Sequence, residues 1–270
     1  MDLTQVAADK RYARLGEAAS VLAGDSTGTL ARFQTFADDA LMSVSLTSDK
    51  VLCFDRFGEI LDTRRFYAAV EGDAAAGEAA FLASWGSIHR RLAFEDLWEH
   101  GTTIVYGSLN GGGLGPQDPY GTTCLVLDPE SEQARALAVF PGNTALRFTD
   151  VSGVADQVAA KENATSWPER AAAAVIERGA EVLARDEGEW ADVLCRDDHF
   201  LEVDRAGVLP LGMLTETRLA PDVYDRLEEL WWANEMAEHL AIDEMVTVDV
   251  YTALLRWERE HGATIVPTHG

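Results

Sequence analysis

Thr102-Thr103-Ile104-Val105-Tyr106-Gly107-Ser108-Leu109 and Thr122-Thr123-Cys124-Leu125-Val126-Leu127 are the stretches whose reading sets the fold. Both are β-branched and aromatic, the composition of strands that pack on a pleated, half-buried surface. A glycine- and proline-rich loop separates them, so they read as paired core strands. Ala136-Leu137-Ala138-Val139-Phe140 adds a third, ending at the turn sequence Pro141-Gly142-Asn143. Upstream, Ser43-Val44-Ser45-Leu46-Thr47 alternates polar with apolar residues, and Val51-Leu52-Cys53-Phe54 resumes the extended character after Ser48-Asp49-Lys50. Downstream, His199-Phe200-Leu201-Glu202-Val203-Asp204 reads as a strand with a carboxylate at its centre. Val208 to Leu214 reads as its continuation after a turn at Arg205-Ala206-Gly207.

Helices flank these strands. Leu3, Val6, Ala7, Leu15, Ala18 and Leu22 recur at helical spacing until Gly24-Asp25-Ser26-Thr27-Gly28 breaks the pattern, and a second helix runs from Leu30 to Leu41. Thr63 to Leu97 is rich in alanine and aromatic residues and reads as helices joined by loops. Ser166-Trp167-Pro168-Glu169 matches a capping box for a helix reaching about Ala184. Pro221 opens a closing segment in which Val223, Leu227, Leu230, Trp231 and Leu240 share a face, followed by Val246, Val250, Leu254 and Trp257. The expected architecture is α+β, with a mixed or mainly antiparallel central sheet. Residues 1–42 are a helical N-terminal segment, 43–220 the α+β core and 221–270 helices packed on it. The adjacent Trp231 and Trp232 offer one indole as an interface anchor, with the oligomeric state left open.

Acidic residues number 46 against 22 basic, for a formal charge of -24. Such a charge repels nucleic acid and anionic lipid and attracts a basic protein. Nearly all positive charge is arginine, because Lys10, Lys50 and Lys161 are the only lysines. Met1-Asp2-Leu3-Thr4-Gln5 has no basic stretch leading into an apolar run, and no segment approaches the ~20 apolar residues of a membrane span. The expectation is therefore a cytoplasmic protein with neither nucleic acid nor membrane as partner. Cys53, Cys124 and Cys195 are too scattered for a disulfide framework or thiolate zinc site and read as buried thiols.

The sequence has no H-E-x-x-H, no phosphate-binding G-x-x-x-x-G-K and no cysteine-histidine cluster. Asn110-Gly111-Gly112-Gly113-Leu114-Gly115 has the glycines of a dinucleotide loop, but Pro116 and Pro119 stand where the phosphate-binding helix should begin, so it reads as a mobile loop. Glu235, Glu238, His239 and Asp243 sit at helical spacing but read as a solvated acidic face, and no metal site is expected.

Three stretches taken in order, Ser43 to Lys50, Val105 to Asn110 and Phe200 to Gly207, resemble the toxin-like bacterial branch of the ADP-ribosyltransferase superfamily. The similarity spans roughly residues 43–220. It implies NAD as co-substrate and no metal. By that resemblance Lys50 holds the NAD phosphates or ribose, and Tyr106 and Ser108, with Asn110 closing the same motif, shape the nicotinamide pocket. Glu202 is then the catalytic carboxylate. Asp204, two residues on and so on the same face of an extended strand, assists it. The chain departs from the pattern at Lys50, a point charge where the family carries arginine with its bidentate fork. Arg56, or Arg64 with Arg65, are the substitutes at hand. A second reading stands beside this one, an acidic immunity-type or inhibitory protein that captures a basic partner without catalysis.

Overall fold

Aspartate or asparagine caps at several helix entries, and glycine at several helix exits, divide this chain into short elements. The computed structural model describes residues 1–84, 86–117, 120–127, 136–196, 200–236 and 239–268. The chain opens with α1 (Leu3–Asp9), α2 (Arg11–Ala23) and α3 (Thr29–Asp38), then enters β1 (Leu41–Leu46). Next come α4 (Ser48–Phe57), β2 (Glu59–Ile60), α5 (Thr63–Glu71), α6 (Ala74–Ala83) and α7 (Ile88–Glu95). The middle of the chain holds β3 (Ile104–Asn110), β4 (Thr123–Leu127), β5 (Ala138–Pro141), α8 (Thr144–Arg147), α9 (Gln157–Asn163) and β6 (Thr165–Ser166). Then follow α10 (Arg170–Val182), α11 (Trp190–Cys195), β7 (Leu201–Ala206), β8 (Leu209–Pro210) and β9 (Leu214–Leu219). A hairpin of α12 (Pro221–Glu235) and α13 (Ile242–His261) precedes the last strand, β10 (Thr264–Pro267).

Eight strands form one sheet in the order β10-β9-β4-β1-β3-β7-β5-β6, while β2 and β8 make a separate pair. Every neighbour in the large sheet is antiparallel except β10, which lies parallel to β9. The protein is therefore α+β with a mixed central sheet. Alternation along the strands separates two surfaces. One presents Val44, Leu46, Val105, Leu109, Leu125, Val139 and Val203, which join Phe33, Phe54, Val175, Leu254 and Trp257 in the main core. The other turns Ile104, Ala138 and Phe140 into a smaller cluster with Phe94, Trp98 and Phe148.

Several expectations change. Val51 to Phe54 is not a strand but the middle of α4, which turns Val51 and Phe54 into the core and stops at Gly58, whose φ of 70° is a left-handed conformation. An apolar run of four fits a buried helix face as well as a strand, and here the helix wins. The two stretches read as paired strands do not pair with each other, because β1 lies between β3 and β4. Ser166 makes no side-chain cap: its hydroxyl donates to the Glu169 carboxylate, and a 3-10 turn at Trp167–Glu169 precedes α10. Val208 to Leu214 does not prolong β7; it passes through β8 and a second 3-10 turn before β9 starts at Leu214. Asn110 to Gly115, read as a mobile loop, is tied at Leu114, whose carbonyl accepts from Asn110 Nδ2 at 3.1 Å and Arg218 Nη1 at 3.2 Å.

Cys124 and Cys195 are buried thiols and Cys53 is half-buried; all three are free. Among the described residues, no helix is long and apolar enough to cross a membrane, and no group of three His, Cys, Asp or Glu side chains is arranged to hold a metal ion. Glu238 of the acidic quartet, and His199 at the head of the late strand, lie outside the described residues.

Candidate functional site

The site begins with a defect in the sheet. β1 and β3 pair over three rungs only, Leu41 with Asn110, Met42 with Leu109 and Ser43 with Ser108. Beyond them β1 continues along β4 as far as Leu46, and β3 along β7 as far as Ile104, so the two middle strands part company. Gly107 sits where they separate, and a Cβ there would lie 2.6 Å from the Ser43 carbonyl oxygen, so the close crossing needs glycine. The opening is a cleft of about 110 Å³. Its walls include Val44 and Leu46 of β1, Val105 and Tyr106 of β3, Lys50 and Phe54 of α4, Phe66 of α5, Arg91 of α7, and Glu202 of β7.

Strand register brings the polar side chains together. Glu202 lies opposite Ser108 on one side and Phe140 on the other, while Asp204 lies opposite Tyr106 and Ala138. Tyr106, Ser108, Glu202 and Asp204 consequently share one face, which α7 covers at Tyr106 and α11 at Ser108. Glu202 is 4% exposed and accepts from the Thr144 amide at 3.1 Å and from the Thr144 hydroxyl. Thr144 is available because Asn143 caps the one-turn helix α8, its side chain accepting from the Leu146 amide, which sets the Thr144 amide facing β7.

Arg91, buried beneath the cleft, is the centre of the local charge. Its guanidinium carbon stacks 3.1 Å from the centroid of the Tyr106 ring, and its Nε lies 3.4 Å from Glu95. Glu95 also accepts from Arg64 at 3.1 Å and from the Tyr106 hydroxyl at 3.3 Å. Arg90, the preceding residue on α7, fixes that helix to α8 and the segment after it through the Leu146 carbonyl at 2.5 Å and the Thr149 hydroxyl at 3.0 Å. Burial pushes the Glu202 carboxyl above the ordinary range, and the Arg91 charge and the Thr144 hydrogen bonds pull it back down. Asp204 is held well above the ordinary range, first by burial and then by the neighbouring Glu202 charge. Among the described residues no hydrogen-bond donor reaches either Asp204 oxygen, so burial and the neighbouring Glu202 carboxylate both favour its uncharged form.

The residues singled out in the sequence divide into three groups. Lys50, Tyr106 and Glu202 line the cleft. Lys50 reaches it from the first turn of α4, not from a strand, with Nζ 5.7 Å from the Phe66 ring centroid; burial lowers its pKa, opposed by Asp49. Ser108 and Asn110 are buried to one side, Ser108 within 3.1 Å of Ser43 Oγ, to which Asn110 Nδ2 also donates at 3.1 Å. Asp204 has no exposed surface and does not touch the cleft directly. Of the proposed substitutes for an arginine in the first motif, Arg64 is committed to Glu78 and Glu95, Arg65 pairs with Glu59, and Arg56 lies over Phe57. The arginine that does reach the cleft is Arg91, which no sequence signal marked, together with Thr144 behind Glu202. The Asn143 and Thr144 pair follows the turn Pro141-Gly142, where a helix cap was readable.

No known protein family matches the sequence, and no curated protein matches it.

Proposed function

We propose that the protein binds NAD in the cleft between β1 and β3 and breaks its nicotinamide–ribose bond, transferring ADP-ribose to an acceptor or to water. What supports this reading is the meeting of Lys50, Tyr106 and Glu202, from three distant segments, in one cleft beside Arg91. Cleavage of that bond sends its electron pair to the nicotinamide nitrogen and builds positive charge on the ribose. A fixed carboxylate stabilises such charge without reorganising, and its effect is largest where water is excluded. Glu202 is held for that task by Thr144, and the Arg91 charge favours its ionised form against the cost of burial. Lys50 supplies the cation at the cleft wall for phosphate, and the Tyr106 ring, covered on one face by Arg91, offers its remaining surface to a flat ring.

Titration of the protein with NAD by calorimetry, with free nicotinamide assayed in the same samples, tests the proposal. Release is expected in the wild type, and Glu202→Gln should lower it by about 100-fold or more while affinity for NAD changes by no more than about threefold. Lys50→Ala should weaken binding instead. Absence of binding at about 1 mM NAD, a ground-state free energy of about 4 kcal/mol, would remove the proposal.

A further inference from the structure

The hairpin of α12 and α13 ends in side chains that the core does not use. Its inner face is complete, with Leu227, Leu230, Val250, Leu254 and Trp257 buried. At the end of α12 and the start of α13, Trp232 is 56% exposed, Met236 74%, Ile242 84% and Met245 53%. Trp232 and Met236 are one helical turn apart, and Ile242, Met245 and Val246 repeat at the spacing of a single face. Trp231 packs inward against Tyr251 at 6.3 Å and edge-on against Trp232 at 5.0 Å, so the outer indole is braced rather than loose. Exposed apolar side chains grouped in this way mark an interaction surface.

Charge identifies the occupant. Between Pro221 and Val250 the sequence has nine acidic residues and one arginine, and that arginine, Arg226, is spent on Glu229 and Glu244. Two copies meeting through this surface would bring two such acidic fields together, which opposes self-association. We propose that the adjoining ends of α12 and α13 dock a basic amphipathic helix of another protein. The apolar face of that helix covers Trp232, Met236, Ile242 and Met245, while its lysines and arginines face Glu235, Asp243 and Asp249. Two methionines suit such a surface because an unbranched thioether chain adapts to the side chains it meets. The inference does not depend on the chemistry of the cleft.

A fluorescent peptide of leucine and lysine, with leucines at helical spacing, is the probe, and its glutamate counterpart the control. Anisotropy with the intact protein should show saturable binding of the lysine peptide, weaker in high salt, with a blue shift of tryptophan emission. Trp232→Ser combined with Ile242→Ser should weaken it about tenfold or more, since both side chains are exposed and their loss leaves the core intact. Equal binding by the variant, equal binding of the glutamate peptide, or no binding at about 100 µM would overturn the proposal. Sedimentation showing a wild-type dimer that the variant abolishes would assign the surface to a second copy and overturn it equally.

Discussion

Asp204 shows at the scale of one residue how the sheet sets a charge. Its register opposite Tyr106 and its position two residues from Glu202 bury both carboxyls on one face, and the upward shift of its pKa is a direct result. A carboxyl whose folded pKa is raised contributes stability that is full below the unfolded value and is lost as pH rises through the folded one. Asp204→Asn, which needs no proton, should therefore exceed the wild type in stability at about pH 8 by roughly 1–3 kcal/mol and lose that advantage towards about pH 4. Thermal melts across that range measure it; an offset independent of pH would mean that Asp204 does not titrate on unfolding. The carboxylate pair was legible because spacing of two on a strand fixes a shared face. Lys50 and Tyr106 were legible as residue types but not as neighbours. Arg91 carried no signal, since its segment reads only as an alanine- and aromatic-rich helical region, and its place depends on how α7 packs across the sheet.

The elements divide between those that local pattern decides and those that partners decide. β1, β3, β4 and β5 announce themselves through alternation or β-branched runs, and α12 through its proline start. α4 was misread because four apolar residues satisfy either period, although Ser48-Asp49 at its start and Gly58 at its end are ordinary helix boundaries. The two-residue strands β2, β6 and β8 have no pattern to read, and the insertion of β1 between β3 and β4 is a tertiary choice. Close packing also decides the sign of a glycine substitution. Gly77 of α6 lies against α5, where a Cβ would sit 2.4 Å from the Ala68 Cα, whereas a Cβ on Gly16 of α2 would meet nothing within 4 Å. Alanine gains about 0.5–1 kcal/mol in either helix, but overpacking costs about 1–3 kcal/mol. Chemical denaturation should find Gly16→Ala stabilised and Gly77→Ala destabilised; a stabilised Gly77→Ala would mean that α5 and α6 separate readily.

For the whole molecule the governing quantity is the net charge of -24. Buried ion pairs such as Arg14 with Glu177 at 3.0 Å are screened little, whereas the surplus of surface carboxylates repels over a range that shrinks to about 10 Å at 0.1 M salt. Thermal stability should accordingly rise between about 20 mM and about 300 mM sodium chloride, and a fall would show that attractive surface pairs outweigh the repulsion. Composition made this charge plain from the start, but not where on the surface another molecule would sit. The ends of the large sheet narrow that question. One end is β6, two residues long, and the other is β10, four residues long and finished by Pro267, which has no amide hydrogen to donate. Short and proline-ended borders are poor templates for an incoming strand. Both borders thus disfavour growth of the sheet into a neighbouring molecule, the usual hazard of an open β-sheet.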